Sequence, residues 1–234
     1  MSDTHQERSN DGLLVAIDGP AGSGKSTVSK RVAQRLAIAF LDTGAMYRAL
    51  TLACLSEGVP LDDVEAVLEV AEGMDFRFEG TPTEPRFLLG PEDVTTKIRS
   101  ELVSENVSTI AALLPVRAWM ATEQRRQMLA AKESGLGMVA EGRDITTVVC
   151  PDADVRVLLL ADPRARIRRR TLELYGTVTP ELYERTRRML RNRDRKDLEV
   201  SQFMEPAEGV SVIDSSDLTV EQVVERVVRH AQAS

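Results

Sequence analysis

The chain has 234 residues, of which 42% are hydrophobic and 29% charged, and a formal net charge of -7. That length suits one α/β domain with a sizeable core and room for an inserted subdomain, and the acidic balance argues against general nucleic-acid or anionic-membrane binding. Only two histidines, His5 and His230, and two isolated cysteines, Cys54 and Cys150, are present, which excludes histidine general-base chemistry, a Ser-His-Asp triad, a zinc cluster and a disulfide framework.

Residues 1–12 are polar and mixed in charge, so they are expected to form a disordered tail and not a secretory signal. Leu13 to Ile17 is a continuous apolar run, which suits a strand buried on both faces. Gly19 to Gly24 is rich in glycine, and Val28, Val32 and Leu36 then repeat at helical spacing. Ile38 to Leu41 reads as a second short strand, Ala45 to Leu55 as helix, and 62–72 as another helix. Phe76-Arg77-Phe78 and Arg86-Phe87-Leu88 flank a turn-rich stretch and predict a small antiparallel hairpin. Helices are expected at about 100–112 and 115–133, with 74–112 an insertion into the α/β core.

Gly137 to Ala140 and Val155 to Leu160 return as buried strands. Arg164–Leu174 and Pro180–Arg193 read as arginine-rich helices around a turn at Gly176, and eleven arginines fall between Asp162 and Asp197. Val210–Ile213 is a last strand, and Val220, Val223, Val224, Val227 and Val228 mark the core face of a C-terminal helix. Strands alternating with helices predict an α/β fold, a mostly parallel sheet with helices on both faces. No apolar run approaches the ~20 residues that span a bilayer, and the unpaired cysteines fit a reducing cytoplasm.

The strongest chemical signal is Gly19-Pro20-Ala21-Gly22-Ser23-Gly24-Lys25-Ser26, with Thr27 after it. It fits the phosphate-binding loop pattern G-x-x-x-x-G-K-[ST] between a buried strand and an amphipathic helix. Glycines let backbone N–H groups converge on phosphate oxygens, Lys25 supplies a point charge, and the Ser26 hydroxyl can ligate Mg²⁺. ATP and Mg²⁺ are therefore the expected co-substrate and metal. No guanine-reading motif and no Asp-Glu pair at a strand end is present, which leaves a small kinase as the leading class.

Two further segments follow strand ends. Asp42-Thr43-Gly44-Ala45-Met46-Tyr47-Arg48 places Thr43 where it can cap a helix and Arg48 where it can reach an anion. Glu141-Gly142-Arg143-Asp144 puts two opposite charges beside another strand end. Carboxyl ends of strands in such sheets open onto one ligand crevice. The arginine-rich segment 162–197 reads as a basic flap that offsets transition-state charge and excludes water. The chain offers no obvious general base. A phosphate monoester, with a second pKa of ~6, needs none, so a nucleotide monophosphate is favoured over an alcohol as acceptor. A kinase of another small phosphorylated metabolite, a non-catalytic P-loop binding protein and an RNA-binding arginine hairpin remain as alternatives.

From about Val15 to Val228 these motifs resemble the bacterial cytidylate kinases. The resemblance also rests on Gly90-Pro91-Glu92-Asp93-Val94, Ile98-Arg99, Pro115-Val116-Arg117, Arg193-Asp194 with Asp197, and Ile213-Asp214. It implies phosphorylation of CMP or dCMP by a monomer with small-molecule nucleotides as its partners, and a P-loop core carrying a nucleotide-binding insertion and a lid at about 162–197. It also implies a cytosine-reading set of Ser108, Arg117 and Asp144, a phosphate-side set of Thr43, Tyr47, Arg48 and Arg143, a ribose-side set of Arg193 and Asp197, and lid arginines Arg166 and Arg170 near the transferred group. Three places depart from the family pattern. Val200 stands where an arginine is usual, Thr146 where a glycine is usual, and Phe203-Met204-Glu205-Pro206 replaces the usual Pro-Leu segment.

Overall fold

The apolar run at the start of the chain becomes strand β1, Leu14–Asp18, all five residues buried. Alternate side chains enter opposite faces of a sheet. Accordingly Leu14 and Ala16 join one apolar cluster with Met46, Leu50, Met120 and Met128. Val15 and Ile17 join another with Val28, Val32, Val223 and Val227. Burying each such branched side chain stabilises by roughly 1.5–3 kcal/mol, so this strand holds both halves of the core together. The structure, a computed structural model, describes residues 12–201 and 203–233. Residues 1–11 of the expected tail lie outside the described residues, while Gly12 is buried and its N–H donates to Gly135 O at 3.2 Å.

After β1 the chain runs through helix α1 (Lys25–Leu36), strand β2 (Ala39–Asp42), and helices α2 (Thr43–Glu57) and α3 (Val64–Gly73). Strands β3 (Phe76–Gly80), β4 (Pro85–Leu89) and β5 (Glu92–Asp93) form a separate three-stranded antiparallel sheet. The sequence predicts only its first two strands, because β5 is two exposed residues long and has no apolar alternation to betray it. Phe78 and Phe87 meet edge to face here, with centroids 5.4 Å apart. Helices α4 (Glu101–Ala111) and α5 (Leu114–Glu133) follow, then strand β6 (Met138–Gly142), a π-helical turn at Ile145–Val149 and strand β7 (Val155–Leu160). Helices α6 (Pro163–Tyr175) and α7 (Pro180–Leu198), strand β8 (Ser211–Asp214) and helix α8 (Val220–Ala233) complete the order.

The main sheet has the order β2-β6-β1-β7-β8, and every neighbouring pair is parallel. Helices α1 and α8 supply the cluster on one face, and α2, α3 and α5 supply the other. The expected α/β architecture is therefore the observed one. Because β2, β6 and β1 are parallel neighbours, Asp42 pairs in register with Glu141, and Asp18 with Gly142. The three motif-bearing strand ends thus lie side by side. No helix among the described residues is long and apolar enough to cross a membrane.

Candidate active site

The loop between β1 and α1 depends on glycine. Gly22 and Gly24 have φ of 77° and 92°, a region that side-chain-bearing residues avoid. A Cβ on Gly22 would sit 2.8 Å from the Arg166 carbonyl oxygen, and one on Gly19 would sit 2.3 Å from that of Leu159. The loop therefore lies against both β7 and α6. Gly24 caps α1, and the first helical bond runs from Val28 N–H to Gly24 O at 3.0 Å. The N–H groups of Lys25, Ser26 and Thr27 precede that bond, so they have no helical acceptor and form the positive end of the helix dipole. Ser26 and Thr27 are exposed. The Lys25 ammonium reaches back to Pro20 O at 3.5 Å.

Lys25 and Glu141 influence each other's charge without forming an ion pair. Burial lowers the lysine pKa, and the nearby Arg143 charge lowers it further. Burial raises the Glu141 pKa, and Asp42 adds to the rise. Both Glu141 carboxylate oxygens are buried without a hydrogen-bond partner. The Ser26 hydroxyl acts on them from outside strict hydrogen-bond geometry and pulls the other way. Such orphaned oxygens beside a P-loop serine are a fitting donor set for a hard cation.

At the head of α2 the capping role differs from the sequence expectation. Asp42, not Thr43, caps the helix, its carboxylate accepting from Ala45 N–H at 2.9 Å. Thr43 has turned inward, and its hydroxyl donates to Glu141 O at 2.7 Å, stitching β2 to β6. Arg48 donates to Ile98 O at 3.2 Å and to Ser104 Oγ at 2.9 Å, so it is already tied to α4 and to the turn that leads into it. Burial raises the Tyr47 phenol pKa, with Arg117 and Asp144 close enough to act on it.

Arg117 and Asp144 are brought together as an ion pair, with Arg117 also donating to Ala111 O at 3.1 Å. Ser108 sits half-buried in the last turn of α4 and forms no hydrogen bond with either. Arg143 bridges two parts of the site: its Nη1 donates to Gly19 O at 2.8 Å and its Nε to Asp197 at 3.1 Å. Arg193 lies 3.7 Å from the same carboxylate, and burial, then Arg143, lower its pKa to about 10. Of the two arginines that the family resemblance assigns to a lid, Arg166 is buried, with its Nε on Ala21 O at 2.8 Å and its other end on Asp194. Arg170 pairs with Glu173 at 2.7 Å along its own helix.

A family model described as cytidylate kinase matches residues 15–233. The chain belongs to the cytidylate kinase family. It is 44% identical to a cytidylate kinase of Cutibacterium acnes over 92% of this chain and 94% of that one. It is 42% identical to a cytidylate kinase of Caldanaerobacter subterraneus subsp. tengcongensis over 92% of each. A crystal structure of an uncharacterized protein from Eubacterium ventriosum shares the fold at a TM-score of 0.52 and 13% identity, covering 95% of this chain and 99% of that one.

Within this cytidylate kinase family member, sequence reasoning passed over Asp18 and Glu141. Asp18 is buried and accepts from Ile145 N–H at 3.0 Å, Thr146 N–H at 2.7 Å and the Thr146 hydroxyl at 2.6 Å. It ties the P-loop strand to the π-helical turn that follows Asp144, and the unusual Thr146 supplies two of the three donors, its side chain one of them. The signal was present in both cases: a carboxylate closing an otherwise apolar strand must find donors or a cation.

Proposed function

We propose that this chain transfers the γ-phosphoryl group of ATP to the phosphate of CMP or dCMP, giving ADP and CDP or dCDP. The observation that carries the reading is the Arg143 bridge, in a chain matched to the cytidylate kinase family along almost its whole length. Through it the start of the P-loop and the Asp197 end of α7 are tied to the residue next to Asp144.

In this reading Gly19 to Thr27 cradle the ATP phosphates, and Lys25 carries charge that develops on the transferred group. Ser26, with Glu141 and Asp42 behind it, would hold Mg²⁺, which when bound neutralises phosphate charge. Arg117 and Asp144 address the ring carbonyl and exocyclic amine of cytosine, with Ser108 beside them. Thr43, Tyr47, Arg48 and Arg143 form the phosphate side of the acceptor pocket, and Arg193 and Asp197 its ribose side. Arg166 and Arg170 are the lid cations. The acceptor phosphate is largely ionised at neutral pH, so its oxygen attacks without a base while the arginines offset repulsion between the two anions. The segment about 74–112 serves as the nucleotide-binding insertion and about 162–197 as the lid. The protein works as a cytoplasmic monomer on small-molecule nucleotides and binds no nucleic acid.

Coupled ADP release measured across CMP, dCMP, UMP, AMP and GMP tests this. CMP and dCMP are expected to dominate, because each buried polar partner left unpaired costs about 1–3 kcal/mol. Equal rates with AMP would refute the cytidine assignment.

A further inference from the structure

The Arg143 guanidinium is gripped by more than hydrogen bonds. Its Nε donates to Asp197, and its Nη1 donates to Gly19 O and, at 3.3 Å, to Gly142 O. Its central carbon lies 5.1 Å from the centroid of the Phe203 ring, within the range where a ring face attracts a cation. Phe203 is 2% exposed, yet it belongs to none of the apolar clusters that make up the core of the described residues. Two residues earlier, the Ser201 hydroxyl donates to the Arg143 carbonyl at 2.9 Å. The segment after α7 therefore holds both the backbone and the side chain of Arg143. Among the described residues, Arg143 Nη2 makes no hydrogen bond within the protein.

We propose that Phe203 is a positioning residue, whose ring face fixes the Arg143 guanidinium so that Nη2 stays presented to an oxygen of the acceptor phosphate. An arginine restrained before binding has less freedom to lose when the anion arrives. A guanidinium is weakly hydrated and planar, which suits it to stacking on a ring where an ammonium would lose its water. Phe203 lies in the stretch that departs from the family pattern, three residues after Val200, where the usual arginine is missing. The segment supplies no cation of its own at Val200 and instead orients one that β6 delivers. The inference rests on the assignment of Arg143 to the acceptor phosphate.

Phe203→Leu keeps an apolar side chain and removes the ring. It is expected to raise the KM for CMP roughly three- to thirty-fold, with the KM for ATP changed less than about twofold on the same grounds. Replacing Phe203 with 4-fluoro-, 3,5-difluoro- and 3,4,5-trifluorophenylalanine keeps the shape and weakens the ring face stepwise, and the KM for CMP should climb along the series. In an Arg143→Lys background, Phe203→Leu should add little, since coupled residues are not additive. Side-chain NMR of Arg143 gives a readout that needs no substrate: its Nε–H should lose its ring-current shift and become more mobile in Phe203→Leu. A flat KM across the fluorinated series, or an Arg143 signal unmoved by Phe203→Leu, overturns the positioning role. If the wild type fails to phosphorylate CMP, the functional reading falls instead, and the NMR arm still decides whether the ring orders Arg143.

Discussion

Lys25 sits beside a buried carboxylate and a second cation, and both burial and Arg143 work against its charge. Phosphate oxygens brought to the loop would restore the balance in favour of the ammonium, so its charge counts most when nucleotide is bound. Lys25→Met is expected to lower turnover by orders of magnitude with an unchanged circular-dichroism spectrum. A variant with near-normal turnover would remove Lys25 from the chemistry. Glu141 offers a pH test with a definite sign. Its folded-state pKa is raised above the ordinary value of about 4.3. Its cost is therefore absent below about pH 4 and grows as the pH rises toward neutrality. Without nucleotide or metal, Glu141→Gln should melt above the wild type at pH 8, and the gap should close toward pH 5. The same variant should lose activity if Glu141 helps hold the metal, and a constant melting gap across that range would contradict the assigned shift. Val200 is half-buried just after α7, and its side chain brings neither donor nor charge. Val200→Arg is expected to lower the KM for CMP about tenfold, the size of one charge-assisted hydrogen bond, while the KM for ATP stays put. An unchanged KM would show that this position does not limit acceptor binding.

At the scale of elements, α6 is clamped to the P-loop by one side chain. Arg166 is buried, bonded to Ala21 O and paired with Asp194 on α7, whose Oδ1 is itself buried without a partner. Removing one member of a buried pair leaves the other charge uncompensated, at about 3–5 kcal/mol. Asp194→Ala should lower the denaturant midpoint accordingly, and a midpoint within error of wild type would show that Arg166 finds other partners. Elements with a local cause were legible in the sequence. The apolar run of β1, the glycines of the loop and the valines of α8 each announce themselves within a few residues. Elements set by distant partners were not. The π-helical turn at Ile145–Val149 is fastened by Asp18, far away in the chain. Helix α7 runs on past Arg193 to Leu198, because Arg143 and Arg193 both engage Asp197 in that last stretch. Asp42 took the cap from Thr43 because Glu141 O, a neighbour only across the sheet, claimed the threonine hydroxyl. The convergence of three strand ends could be read in advance; the Phe203 ring against Arg143 could not, since no spacing in the sequence links residues 143 and 203.

For the molecule as a whole, both cysteines are sealed inside. Cys54 and Cys150 have no exposed surface, and burial raises each thiol pKa to about 11. A thiol must ionise to react, so neither should be alkylated by iodoacetamide at pH 8 until the protein is unfolded. Mass spectrometry of native and denatured samples checks this, and fast native modification of either residue would reveal local opening. The sheet order has a further consequence, for synthesis. Strand β1 is central, and among the described residues its sheet neighbours are β6 and β7, which begin at Met138 and Val155. A nascent chain has made the phosphate loop and its lysine long before either neighbour leaves the ribosome. Until then an apolar strand with two open edges is exposed, the kind of segment that chaperones cover and that aggregates when left bare. A polypeptide ending before Met138 would therefore carry every letter of the loop motif and still have no partner strand to hold that loop in shape.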